Sequence, residues 1–117
     1  MCSSDLNGSE NCALADCDFD QLGGNSIFVN NYNRRVAIES CLIHDSGASG
    51  VCFVGDPKAV RSPLFKYGDT QGYDKIDKEP GPQLGDQPSD CRVEDCLITR
   101  IGRVENSNAG TSFGSMQ

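Results

Sequence analysis

Apolar and polar residues alternate in short bursts along this chain, and after each burst the parity changes. Cys12 and Leu14 flank Ala13; two residues later Cys17 and Phe19 flank Asp18. The same figure returns as Val36, Ile38, Cys41 and Ile43, and again as Cys91, Val93, Cys96 and Ile98. A period of two places one set of side chains on one face of a strand. The parity change between the bursts, at Ala15-Asp16, Glu39-Ser40 and Glu94-Asp95, cannot be carried by one straight strand, so the chain must turn there. Aligned on the central cysteine, Cys17, Cys41 and Cys96 lie 24 and then 55 residues apart, the second step being one more period plus 31 extra residues. Three units with a period in the twenties are the mark of a solenoid.

A third strand per unit follows from the same offset, because Asn25-Ser26-Ile27-Phe28-Val29 aligns with Ser49-Gly50-Val51-Cys52-Phe53. Gly23, Gly47 and Gly102 match one another, which reads as a turn that needs an unhindered backbone. Three short strands per turn, each stacked about 4.8 Å from its counterpart, predict an all-β parallel β-helix of about three turns. The leucine-rich alternative needs a repeat L-x-x-L-x-L-x-x-N that the chain lacks. No window carries the i, i+3, i+4, i+7 spacing of an amphipathic helix.

The extra residues fall in 56–90, which holds all five prolines and all four lysines of the chain. Proline removes a ladder donor, so this stretch is predicted to leave the sheet as a long inserted loop. Insertions in repeat proteins collect on one face, often the binding face. A polar run, Asn30 to Arg35, reads as the turn between the first and second units, with Arg34-Arg35 capping the corner.

Composition narrows the function classes. A net charge of −7 and the absence of clustered Lys and Arg exclude nucleic acid as a partner. No apolar run approaches 18 residues, so no membrane span is predicted. At 117 residues the chain is at most one domain. Its lead, Met1-Cys2-Ser3-Ser4-Asp5-Leu6, is what the end of a sequencing adapter would encode behind a GTG start, so residues 1–10 are expected to be an artefact or a disordered lead, with 11–117 a partial β-helix domain. Thr111 to Gln117 begins a strand-like segment and stops, as in an internal piece of a longer protein.

Seven cysteines raise disulfide and metal readings. Cys17, Cys41 and Cys96 recur at one inward position, where parallel Cβ vectors disfavour a disulfide, and Cys12/Cys17 and Cys91/Cys96 are too widely spaced for a zinc knuckle. They read as a column of small buried thiols. Asp16 to Asp20 fails as an EF-hand loop, since Gln21 and Ile27 stand where Gly and Glu are required. Asp18 and Asp20 then read as the solvent face of a strand; no cofactor is expected, calcium held by carboxylates of adjacent turns being the one alternative. His44-Asp45, the only histidine with a neighbouring carboxylate, is the candidate catalytic pair, able to move protons near neutral pH. Asp56, Lys58 and Arg61 open the inserted loop and could grip a hydroxyl-rich ligand; Tyr67 and Tyr73, with Phe65, could offer stacking faces for sugars.

The motif V-x-I-x-x-C-x-I-x-x-x-G-x-x-G-V, read from Val36 to Val51, resembles the right-handed parallel β-helix repeats of the pectin-lyase-like superfamily. The fuller stretch from Cys17-Asp18-Phe19 through Gly50 to Lys58 is similar to bacterial secreted β-helical glycoside hydrolases, and the resemblance covers about residues 11 to 113. It implies a right-handed coil, an extracellular or periplasmic parent protein, neighbouring turns of that parent as contacts, and a polysaccharide or oligosaccharide of plant or algal origin as partner. The activity implied is glycoside hydrolysis by paired carboxylates, with Asp45 as one member and its partner on an adjoining turn. Two other readings stand beside it: a polysaccharide lyase with an Arg or Lys base, and a non-catalytic carbohydrate-binding, adhesive or structural β-helix. The polygalacturonase signatures N-T-D, D-D, G-H-G and R-I-K are absent.

Overall fold

The computed structural model describes residues 4–61, 68, 70–104 and 110–113, the last three as backbone only. Among them every regular element but two single 3₁₀ turns is a β-strand: β1 (Ser4–Glu10), β2 (Ala13–Ala15), β3 (Asp18–Asp20), β4 (Ile27–Arg34), β5 (Ala37–Glu39), β6 (Leu42–His44), β7 (Val51–Val54), β8 (Pro88–Ser89), β9 (Arg92–Glu94), β10 (Leu97–Thr99) and β11 (Thr111–Phe113). No helix among the described residues is long and apolar enough to cross a membrane.

The strands form three parallel sheets, ordered β2-β5-β9, β3-β6-β10 and β1-β4-β7-β11. The chain visits these sheets in the same cyclic order in each repeat. Registers follow the offset expected from the sequence. Leu14 pairs with Ile38 and Ile38 with Val93; Phe19 pairs with Ile43 and Ile43 with Ile98; Ile27 pairs with Val51.

The corners between strands have one backbone solution. Asn11, Arg35 and Asp90 form one column, Asp16, Ser40 and Asp95 a second, Gln21, Asp45 and Arg100 a third, and all nine have positive φ between 48 and 56°. A left-handed residue redirects the chain in one step, which is why the inward parity changes there. Asn and Asp tolerate that conformation through their short polar side chains, whereas Ser does so less readily. Ser40→Asn is therefore expected to stabilise the fold by about 0.5 kcal/mol, seen as a rise of a few degrees in thermal melting; a fall would mean that the Ser40 hydroxyl, 3.4 Å from Asp95, contributes more than the backbone relief.

Immediately after each corner of the second column stands a cysteine. Cys17, Cys41 and Cys96 each donate the thiol to the carbonyl two residues back, Ala15, Glu39 and Glu94, at 3.2, 3.2 and 3.1 Å. All six described cysteines are unbridged. The column thus combines apolar filling with a weak donor for a carbonyl that the corner leaves beside the core.

The core lies in the middle repeat. Ile27, Val29, Val36, Ile38, Cys41, Ile43, Val51 and Phe53 are buried, and their counterparts in the outer repeats are half-buried because a neighbouring layer covers only one side. The open side of the third repeat is a recess of about 380 Å³ floored by Val93, Cys96 and Ile98, with Arg92 and Asp95 at its rim.

Three expectations are corrected. Residues 1–10 are not wholly outside the fold: Ser4–Glu10 forms β1, in register with β4, because ladder bonds need no apolar run and Leu6 pairs with Val29 and packs against the core. Asn30 to Arg34 is not a turn but the second half of β4. It is held by the fully buried Asn33, whose Nδ2 donates to Asn30 O (2.7 Å) and Leu6 O (3.2 Å) while its Oδ1 accepts from Ser9 N (3.1 Å) where the β1 register shifts. Finally, the insertion does not run to residue 90. The first half of β4 pairs with β7 and the second half with β8, so the insertion splits one strand layer and the ladder resumes at Pro88. Proline is tolerated at a strand start.

Candidate functional site

The outer face of β3-β6-β10 carries the chemistry. Outward residues stack there in two columns, Asp18-Leu42-Leu97 and Asp20-His44-Thr99. Leu42 and Leu97 are 36% and 62% exposed, an apolar strip beside the charged one. At the end of β6 the left-handed corner places Asp45 next to His44, with Arg100 in the equivalent corner one layer further on.

These residues form one ion network. His44 Nδ1 lies 2.8 Å from Asp45 Oδ2 and 3.3 Å from Asp20 Oδ1, and His44 Nε2 lies 3.0 Å from Asp18 Oδ1. Both ring nitrogens face carboxylates, which only an imidazolium can satisfy as a donor on each side. Arg100 grips both oxygens of Asp45, with Nε at 3.0 and 3.1 Å and Nη2 at 2.9 Å, and Arg103 Nη1 donates to Asp45 Oδ1 at 2.8 Å. Arg100 Nη2 also comes within 3.3 Å of His44 Nδ1, the two donors converging on one Asp45 oxygen.

The charges set the proton affinities. Hydrogen bonds from Arg100 and then His44 hold the Asp45 carboxyl well below the usual carboxylate range, against a partial desolvation that works the other way. The hydrogen bond to Asp45 pushes His44 up from its ordinary value, desolvation opposes this, and Asp18 and Asp20 add to the rise. Asp45 raises the Arg100 guanidinium in turn. Asp45 is thus an anchor held in its ionised form and poor as a proton donor, while His44 is biased toward its protonated form and weakened as a base.

Asp20, His44 and Asp45 bring one ligand atom each within 4.8 Å of one another. The set fits calcium poorly: the place opposite Asp18 and Asp20 is an imidazole, both Asp45 oxygens are engaged by guanidiniums, and calcium takes about six to eight oxygens.

The loop candidates sit elsewhere, and among the described residues none is bonded to this network. Asp56 caps the 3₁₀ turn Pro57–Ala59, accepting from Lys58 N at 2.8 Å, so its carboxylate is a structural stop. Lys58 is exposed on that turn. Arg61 clasps the insertion to itself through Gly81 O (2.8 Å), Pro82 O (3.4 Å) and Asp77 (3.1 Å). Tyr73 is 73% exposed, but one ring face is covered by the Lys78 ammonium at 3.9 Å. Tyr67 and Phe65 lie outside the described residues. Arg34, read as a corner cap, instead ties the insertion to β4 through Gly85 O at 2.9 Å and through Gln87 O. Arg61→Ala is expected to speed proteolytic cleavage within residues 77–87 while changing global stability by less than about 1 kcal/mol; unchanged cleavage would show that Arg34 and the backbone bonds of Gln83 and Asp86 hold the segment without Arg61.

Arg100 and Arg103 are the members of this network that the sequence reading passed over. The signal was present for Arg100, since it follows Asp45 by the same 55 residues that separate Cys41 from Cys96. Compared with known proteins, the chain matches no family model, no curated protein and no solved structure.

Proposed function

We propose that the three parallel sheets are the faces of a parallel β-helix and that its β3-β6-β10 flank binds a polysaccharide outside the cell. The coil is supported by the cyclic visiting order and by registers that step 24 residues and then 55. A right hand is supported by the general rule for parallel crossovers. The binding role is carried by one observation: an apolar strip, Leu42 and Leu97, continues the Asp18 column beside Asp20 and His44 on one exposed sheet face, with Arg100 at the corner that follows. Sugars offer both a C–H face and hydroxyls, and such a surface serves each. Binding is favoured over catalysis because the best carboxylate, Asp45, is locked by three cations. The lyase reading is weakened in the same way, since Arg100 is held charged and cannot act as a base.

Affinity electrophoresis of the chain through gels containing single plant or algal polysaccharides tests this. Retardation by at least one glycan, lost in Leu97→Asp and reduced in Asp18→Asn, is expected. Unaltered mobility on all of them would remove the binding role.

Glycoside hydrolysis is the second reading, favoured by the Asp20 and Asp45 ligand atoms lying within 4.8 Å, near the ~5–5.5 Å separation of a retaining pair. Release of reducing ends from a bound glycan, abolished in Asp20→Asn, would replace binding with catalysis.

A further inference from the structure

We propose that His44 is a proton-operated latch that fastens the first repeat, at Asp18 and Asp20, to the Asp45–Arg100–Arg103 anchor of the second and third. The latch itself stands on the geometry of the cluster; its effect on ligand binding rests on the binding role proposed above.

Three elements meet at the imidazole. From β3 come the carboxylates of Asp18 and Asp20, from the corner after β6 comes Asp45, and from the corner after β10 comes Arg100. No other titratable or charged group contacts the ring among the described residues. Asp45 needs no help from His44 to stay in place, because Arg100 and Arg103 hold both its oxygens. Asp18 and Asp20 have weaker support: among the described residues His44 is their only direct ion-pair partner, with Arg100 acting on Asp20 through charge at longer range. β3 is also the outermost strand of its sheet, and its last tie to β6, Gln21 N to His44 O, is long at 3.4 Å.

Loss of the imidazolium proton therefore has an asymmetric result. The neutral ring keeps one N–H. Retained on Nε2, it serves Asp18 and leaves the Nδ1 lone pair facing Asp20 and Asp45; retained on Nδ1, it leaves Asp18 facing a lone pair. The first tautomer takes the hydrogen bond from Asp45 and the second takes it from Asp18; in both, Asp18 and Asp20 lose the attraction of the ring's charge and face Asp45 without it. The end of β3 loosens while the anchor stays intact.

The direction follows from linkage. The pKa of His44 is raised on folding, so its contribution is complete below the free value of about 6.5 and is lost as pH rises through the folded value. Asp45 is lowered, so its contribution is complete above about pH 4 and is lost only in strong acid. Latch and anchor are both closed between about pH 4 and 6.5.

Amide exchange of the full chain, followed by NMR between pH 5.5 and 9 and expressed as protection factors, tests the latch without any ligand. The single histidine is expected to titrate above 6.5, and protection at Gln21 is expected to fall through that titration, approaching tenfold for each pH unit by which the folded midpoint exceeds the free one. Protection at Leu97 N, bonded to Cys41 O at 3.0 Å deeper in the same sheet, is expected to stay level. Asp18→Asn, an exposed substitution, is expected to lower the histidine midpoint and shrink the fall, and His44→Gln to abolish it. A histidine midpoint at or below 6.5, or Gln21 protection that ignores the titration, would overturn the proposal. Glycan retardation that weakens over the same pH range adds the functional consequence. If the latch opens and no glycan is retarded at any pH, the binding role fails while the latch stands.

Discussion

Ile38→Ala is expected to cost about 4 kcal/mol, whereas Leu14→Ala, the same position one repeat earlier, is expected to cost about 1–2 kcal/mol. Both side chains stand in one column, Leu14-Ile38-Val93, and point to the same interior. They differ in cover. Ile38 is fully buried between two layers, so truncation leaves a cavity that neither neighbour can fill. Leu14 has a layer on one side only, and water enters the space its truncation leaves. For a small domain with a total stability of about 5–15 kcal/mol, the first loss brings the chain near unfolding and the second does not. Chemical denaturation of the two variants separates them. Equal losses would mean that the middle of the column is no better covered than its end, which is incompatible with three layers in register.

Gly47→Ala is expected to destabilise the fold by about 3 kcal/mol, with Gly72→Ala close to neutral. A Cβ at Gly47 would fall on the Gly23 carbonyl of the preceding repeat, well inside van der Waals contact, and that carbonyl belongs to backbone rather than to a side chain that can swing away. Gly47 N donates to Leu22 O at 2.7 Å and Ala48 N to Gly24 O at 3.2 Å, so the two turns are laced together where the extra atom would sit. Gly72 has open space around its Cβ position. Thermal melting of both variants is the check; a mild Gly47→Ala would show that the turns slide apart cheaply.

The Gly23–Gly47 match was visible in the sequence, but its cause was not. Gly47 does not have a left-handed φ; it is required by the approach of another backbone. The same division runs through the fold. Registers were legible because apolar parity and the 24-residue step specify both the inward face and the partner of each strand. The second half of β4 was not, because its inward residue is Asn33, and a buried amide that meets its own hydrogen bonds has the polarity of a turn residue. β1 was hidden by its polarity and by a register shift that breaks the alternation. In the site, His44 and Asp45 stood out as neighbours in sequence. Asp18 and Arg100 join them from 26 and 55 residues away, through side-chain reach that periodicity does not encode.

The most direct measurement is a set of backbone NOEs between repeats. Parallel pairing at offsets of 24 and then 55 places the Ala37 amide against Cys12, the Leu42 amide against Cys17, and the Leu97 amide against Cys41, with N–H to O distances set by bonds of 2.9, 2.9 and 3.0 Å. Strong amide-to-Hα cross-peaks across all three pairs are expected in a ¹⁵N-edited spectrum. Their absence, or a consistent set at any other offset, would dismantle the stack and with it the cluster that joins Asp18, Asp20, His44, Asp45 and Arg100.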